Sequence, residues 1–324
     1  MTTLGNITLD APLVLAPMAG ATNPPFRTLC REQGAGLVVT EMVSAKGIVT
    51  NDKKTWSLVD VQAHEHPVAV QLFGCEPDVL AEAARRMEAV GADAVDVNMG
   101  CPMKKIVKTG RGAALLQDPP KIERIMRAMS DAVSIPVTAK IRAGWDDANA
   151  VIVARAIEQG GGAGVTIHGR TRSDMYERHV DLDVIAEVAN AVNIAVIGNG
   201  DVKDVESCKR MMATGCDAVM VARGCLGNPW LFDTLSAHFQ GREAAPAPDA
   251  NATRAMMMRH LELYVQYAGE KRTCLEFRKH ALWYVKTTAG EETLRKMLRG
   301  LNTVEAVQAS INAACDAMVE AEQA

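Results

Sequence analysis

The stretch VAVQLFGCEPDVLAEAARRMEAVGADAVDVNMG, residues 68–100, spells out one complete strand–helix–strand unit. Its two ends, VAVQLFG (68–74) and AVDVNMG (94–100), are short, nearly continuous apolar runs, as strands covered on both faces of a parallel sheet require. Between them Val79, Leu80, Ala83, Ala84, Met87 and Val90 recur along one helix face, and Gly91 follows where a left-handed C-cap is wanted. The pattern extends in both directions. Upstream lie LVLAPMAG from 13 and LVVTEM from 37; downstream lie VTAKIRAG from 137, GVTIHGR from 164, IAVIGNGD from 194 and AVMVARG from 218. Successive starts are 24, 31, 26, 43, 27, 30 and 24 residues apart, room each time for one strand, one helix and two turns. Helical blocks at 122–129, 151–157, 182–189 and 205–212 fill the later intervals. Eight units predict a TIM-type (β/α)8 barrel. A doubly wound open sheet competes, but no GxGxxG follows the first strand and eight units suit closure.

At Gly241 the composition changes. GREAAPAPDAN (241–251) is rich in Pro and Ala, and the sequence beyond it shows helical signals only: ATRAMMMRHLELYVQYAG (252–269), CLEFRKHALWYVKTT (274–288), EETLRKMLRG (291–300) and a last helix opened by a capping box of Asn302 with Glu305. The expected division is a barrel domain over 1–240, a linker over 241–250 and a small all-α helical bundle over 251–324.

The composition fits an ordinary globular chain: of 324 residues, 48% are hydrophobic and 23% charged, which excludes collagen, low complexity and wholesale disorder. With 4% aromatics and 17 Met, the core is expected to be aliphatic and filled by methionine. A net charge of −4 means that any affinity for nucleic acid rests on a local patch. The 8 Cys form no CxxC pair, which points to a reduced, cytoplasmic protein rather than a disulfide scaffold or metal site. No basic leader and no run of about 18 apolar residues suggests a signal peptide or membrane span. A monomer is the expected state.

A barrel of this kind gathers its active site from the C-terminal ends of the strands. Here those ends are Met18, Glu41, Gln71, Asn98, Lys140, His168, Asn199 and Arg223. So many hydrogen-bonding groups at one mouth have no purely structural purpose. In the last two units, Gly198, Gly200 and Gly224 are either turn residues or openings through which backbone N–H groups reach an anion, and Arg223 beside them favours a phosphate. Lys140 and Gln71 offer a cation and an amide suited to the polar edge of a flavin; the alternative for Lys140 is an ion pair with Glu41 or Asp96. Cys101 is the sharpest feature. It follows the fourth strand between Gly100 and Pro102, and Lys104, Lys105, Lys108 and Arg111 come next with no acid from Val97 to Gln117. Such cations lower a thiol pKa and attract a polyanion. Residues 254–300 add ten Lys/Arg against five Glu, either an RNA-binding face or a solvated helical surface.

Taken in order, APMAG (16–20), QLFG (71–74), VNMGCP (97–102), TAKIR (138–142), IHGRTR (167–172) and IGNGDV (197–202) resemble the tRNA-dihydrouridine synthases, and RKHALWY (278–284) resembles the helical domain of their bacterial branch. APMAG and NGD are shared with other flavin barrels; VNxGCP followed by HGRT is specific. The resemblance implies non-covalent FMN, NADPH as reductant, and reduction of the C5–C6 double bond of a tRNA D-loop uridine flipped into the pocket. It places Pro17, Met18 and Ala19 against the flavin ring, Gln71 and Lys140 at its polar edge, and His168 facing it. Asn199, Gly200, Asp201, Arg223 and Gly224 would hold the phosphate. Cys101 would protonate C5 while hydride reaches C6. Asn98, Lys104, Lys105, Arg142, Arg170, Arg172, Arg278, Lys279 and Lys286 fall on the substrate side. Two rivals stand beside this reading. One is an FMN barrel acting on a free pyrimidine, in the manner of dihydroorotate or dihydropyrimidine dehydrogenases, for which a basic helical domain is superfluous. The other is an RNA-binding protein without chemistry, against which Cys101, Lys140 and His168 argue.

Overall fold

The computed structural model describes residues 2–175 and 179–323. The chain opens with a hairpin, β1 (Thr2–Leu4) and β2 (Ile7–Leu9), turned at Gly5, and then enters a closed parallel barrel. The barrel strands are β3 (Leu13–Leu15), β4 (Leu37–Val39), β6 (Val68–Phe73), β7 (Ala94–Asn98), β8 (Val137–Gly144), β9 (Gly164–Thr171), β10 (Ala195–Asn199) and β11 (Ala218–Val221). A two-residue strand, β5 (Val43–Ser44), extends the second unit along β6. Pairing of β11 with β3 and of β4 with β6 closes the ring.

Helices cover the outside: α1 (Pro24–Glu32), the short α2 (Ala45–Val49) and α3 (Lys53–Trp56), α4 (Pro77–Ala89), the short α5 (Lys104–Val107), α6 (Pro119–Ser130), α7 (Ala150–Gln159), α8 (Leu182–Ala191), α9 (Val205–Met212) and α10 (Leu231–Gln240). Gly91 adopts φ of 88° just after α4, the left-handed stop its sequence suggests.

Strand parity sorts the core into two layers. Leu13, Leu15, Val70, Val95, Val97, Ala139, Ile141, Val165 and Ile167 point outward and pack under the helices. Val14, Leu37, Val39, Ala69, Ala94, Ile197, Ala218 and Met220 fill the barrel's interior together with Leu4 and Leu9 of the hairpin, which plugs the end opposite the mouth. Gly164 permits this plug, since a Cβ there would lie 2.5 Å from Leu4 Cδ1. The same alternation carries Gln71, Asp96, Asn98, Thr138, Lys140, Arg142, His168, Arg170 and Asn199 inward at the mouth.

Beyond Gly241, residues 242–249 carry no regular structure, and α11 (Ala250–Tyr284), α12 (Gly290–Met297) and α13 (Val304–Gln323) follow. The run of α11 breaks at Gly269, whose φ of 71° ends one helix before the next begins. The cap of α13 falls on Thr303, whose hydroxyl accepts from Ala306 N–H, one residue past the Asn302 expected. Met257, Leu261, Phe277, Ala281, Leu294 and Ile311 join in a separate apolar cluster. Among the described residues no helix is long and apolar enough to cross a membrane.

The helical region docks on α1 through rings. Phe26 stacks on His260 at 5.7 Å between centroids, His260 meets His280 edge-on at 4.8 Å, and Asn23 Nδ2 donates to Tyr264 Oη at 3.0 Å. Both histidines are buried. His260 Nδ1 meets Tyr284 Oη, whereas its Nε2 and both His280 nitrogens have no hydrogen-bond partner among the described residues. Burial pushes the His260 pKa down to about 3 and that of His280 well below its ordinary value. The unfolded chain therefore takes up protons near pH 6.5 that the folded chain refuses, so stability falls as pH drops from about 6.5 toward 3. Urea unfolding between pH 7 and 5 should show that loss, at about 1.4 kcal/mol per pH unit for each fully linked histidine. His260→Phe should flatten the dependence; an unchanged slope would refute the assignment.

Candidate active site

The cross-strand register builds the site in rows. Gln71 stands beside Asp96 and Asp96 beside Thr138; one row higher, Asn98 faces Lys140; above that, Arg142 faces His168 and His168 faces Asn199. Hydrogen bonds run across and between these rows. Asp96 accepts from Gln71 Nε2 and Thr138 Oγ1, both at 2.7 Å. Gln71 Oε1 accepts from Asn98 Nδ2 at 2.9 Å, and Asn98 Oδ1 accepts from the Cys101 N–H at 2.9 Å and the Gly100 N–H at 3.3 Å. The orientation of each amide is thereby set by the next, from a buried carboxylate out to the cysteine loop.

The loop is held from its other side as well. Arg142 Nε donates to Gly100 O at 2.9 Å, and Arg142 Nη1 donates to Thr171 O and Met175 O. Cys101 O accepts from Ala113 N–H at 3.0 Å. The thiol itself is half-buried at the mouth, and Lys104 and Lys105 beyond it are exposed.

Beside the Cys101 loop and onward around the mouth the site is rich in cations. Lys140 Nζ donates to Asn199 Oδ1 at 2.9 Å, and Asn199 Nδ2 donates to Met220 O. Lys140 thus bonds neither carboxylate considered from sequence, Glu41 or Asp96, although the Asp96 charge opposes its desolvation. Burial, followed by the charge of Arg142, lowers its pKa to about 8. Arg170 Nη2 donates to Asp201 Oδ2 at 2.6 Å, and Arg223 Nη2 reaches Asp201 Oδ1 at 3.4 Å. His168 lies within this field, 3.1 Å from Arg170 Nη1; burial first, then Lys140, Arg142, Arg170 and Arg223, push its pKa down to about 2. It is neutral at any physiological pH. The ends of β10 and β11 approach closely, because Gly200 adopts φ of 132° and a Cβ on Gly224 would lie 2.3 Å from Val202 O.

A sequence comparison decides the family. The pattern described as Dihydrouridine synthase (Dus) matches residues 14–322, barrel and terminal helices together. The chain belongs to the dihydrouridine synthase family. It is an enzyme of that family and resembles its bacterial members. The tRNA-dihydrouridine synthase B of Pseudomonas aeruginosa is 39% identical over 312 residues, covering 95% of this chain and 94% of that protein. The probable tRNA-dihydrouridine synthase of Rickettsia bellii is 38% identical over 315 residues, covering 96% and 97%. Among solved structures, a variant of NCR from Zymomonas mobilis shares the fold with a TM-score of 0.54 at 14% identity, over 75% of this chain and 91% of that one.

The structure brings most of the sequence-predicted residues of this dihydrouridine synthase to one mouth. Pro17 and Met18 are partly exposed and Ala19 is exposed, all three directly after β3. Arg142 and Arg170 are buried, the first on backbone carbonyls and the second on Asp201. Arg172 lies over the Trp145 ring at 4.5 Å. Of the helical candidates, Lys279 reaches the mouth beside Gly20, Lys286 is exposed, and Arg278 caps its own bundle by donating to Cys274 O and Leu301 O. Sequence reading passed over Thr138 and gave Asp96 no role beyond a partner for Lys140. The signal was present, since a lone Asp inside AVDVN is a buried charge that needs donors.

Two outcomes follow. Asn98→Ala removes the acceptor that orients the Cys101 loop, so turnover should fall by about 10²-fold with little change in melting temperature; full activity would show that the loop holds itself. Affinity for an anionic ligand at the mouth should weaken as pH rises through about 8, where Lys140 loses its charge, and Lys140→Arg should flatten that dependence. Calorimetric titration across pH 7 to 9 reads both.

Proposed function

We propose that this enzyme reduces the C5–C6 double bond of a uridine in the tRNA D-loop to 5,6-dihydrouridine, with FMN as bound cofactor and NADPH as reductant. One observation carries the reading: a half-buried cysteine, on a loop tied through Asn98 and Gln71 to a buried carboxylate, stands at a mouth lined by cations.

The donor set fits an anionic flavin phosphate. Burial and four converging positive charges keep His168 neutral, and the two glycine corners leave a cradle that side chains would fill. Asn199, Gly200, Asp201, Arg223 and Gly224 would hold the phosphate, with Asp201 aligning Arg170 and Arg223. Pro17, Met18 and Ala19 would lie against the ring, Lys140 and Gln71 at its polar edge, and neutral His168 would give a hydrogen bond without adding charge. When bound, FMN would supply the hydride for C6 of the uridine, with NADPH as the source of reducing equivalents.

The protein supplies the proton. Charge left on the C5 and O4 side calls for an acid above the ring, and the Cys101 S–H can give its proton to C5. Asn98 and Arg142 fix the loop on which Cys101 stands, so they set where that proton is held. A uridine inside folded RNA must be turned out to reach this depth. Lys104 and Lys105 beside the thiol, Lys279 and Lys286 on α11 and beyond it, and Arg172 at the end of β9 would meet the RNA backbone. The family match runs through the helical region, which a free pyrimidine would not need, so that alternative gains no support.

Mapping dihydrouridine by position in tRNA from cells lacking the gene, then restored with wild type or Cys101→Ala, tests the proposal. We expect loss at a defined D-loop position, rescue by wild type, and a deficit of about 10²-fold or more with Cys101→Ala, whose flavin absorbance should be unchanged. Rescue by Cys101→Ala would remove the thiol from the mechanism.

A further inference from the structure

A cavity of about 250 Å³ opens where the mouth of the barrel meets α11. Gly20 and Glu41, from the loops after β3 and β4, form one wall; Tyr264, Tyr267, Arg272 and Lys279 of α11 form the other. Most of its polar groups are engaged. Glu276 accepts from Tyr264 Oη at 2.9 Å and Arg272 Nε at 2.8 Å, and Arg27 is bound to Glu65 behind the wall at 2.9 Å.

Two groups of opposite charge lack an ion-pair partner among the described residues. The Glu41 carboxylate takes a backbone N–H from Gly20 but forms no ion pair within 4 Å among the described residues, while the charges of Lys279 and Arg27 act on it from a distance. Burial pushes its pKa up. Lys279 Nζ hangs over Gly20, 3.0 Å from where a Cβ would stand, and likewise forms no ion pair within 4 Å among the described residues. A carboxylate and an ammonium that share a cavity without joining leave room for a ligand with an acceptor and donors side by side. The volume lies below the roughly 300–1,000 Å³ of drug-sized sites, and suits one ring system.

We propose that the cavity binds a guanine base of the RNA substrate near the target uridine, with O6 on Lys279, the N1–H and N2–H groups on Glu41, and the ring against Tyr267. Guanine is the standard base whose edge runs acceptor, donor, donor. Uracil sets its single N–H between two carbonyls, which a carboxylate repels, and adenine has no carbonyl for the ammonium. The contact would help decide which uridine is presented, because the guanine's distance along the strand fixes what reaches Cys101. This inference rests on the RNA substrate proposed above.

The test pairs protein and RNA changes. Glu41→Gln and Lys279→Met are assayed on a tRNA transcript, and on transcripts in which single D-loop guanosines are replaced by inosine, which lacks the N2 amino group. Flavin content and melting temperature report whether each variant is folded and loaded. We expect each variant to raise KM for tRNA about tenfold with a smaller change in kcat, and one inosine substitution to cost wild type a similar factor while costing Glu41→Gln nothing further. Unchanged KM for tRNA in both variants would overturn the proposal, as would full additivity at every guanosine. A rise in KM for the reductant instead would assign the cavity to the nicotinamide. Wild-type enzyme that binds tRNA normally but shows no guanosine dependence defeats this inference alone, whereas wild-type enzyme that neither binds nor reduces tRNA defeats the substrate assignment and this inference with it.

Discussion

Asp96 lies inside the barrel with donors from both neighbouring strands, the Gln71 amide on one side and the Thr138 hydroxyl on the other. Burial pushes its carboxyl pKa up, and those two hydrogen bonds with the nearby Lys140 charge work against that shift. A buried carboxylate of this kind is costly unless its lone pairs are met, so it dictates the rotamers around it. Gln71 must turn its nitrogen toward Asp96, which turns its oxygen toward Asn98, which turns the Asn98 oxygen toward the Cys101 loop. The position of the one chemically prominent thiol is thus settled from deep inside the barrel, by a carboxylate lower on the same strand acting through its neighbour β6.

From β8 round to β11 the constraint is electrostatic. Lys140, Arg142, Arg170 and Arg223 surround His168, with Asp201 as the carboxylate that ties Arg170 and Arg223 together. Such a site resists further positive charge and welcomes an anion. Arg142 joins the two halves, because it stands in the cationic row while its guanidinium grips the backbone of the Cys101 loop.

The helical region is fastened by a different kind of contact. Phe26, His260, His280, Tyr264 and Phe277 make a buried ring cluster in which the histidines are held neutral, reinforced at the edge by the Arg259–Glu32 ion pair at 3.1 Å. An exposed pair of that sort contributes little. Apolar burial therefore fixes α11 over the barrel, and that placement forms the cavity between Glu41 and Lys279.

The sequence by itself determined the eight strand–helix units and the mouth as the place for the polar endings, Asn98, Lys140 and His168 among them, because these depend on periods of 2 and 3.6 written locally in the chain. It also singled out Cys101 and the cationic stretch after it. Tertiary structure alone decided the pairings. Lys140 turned to Asn199 rather than to a carboxylate, Arg142 to the loop carbonyls, and Glu41 came to share a cavity with Lys279. Those outcomes depend on cross-strand register and on how α11 docks. Both arise from packing the whole barrel at once, and no local pattern of residues encodes the distance between groups that the fold brings together only at the end.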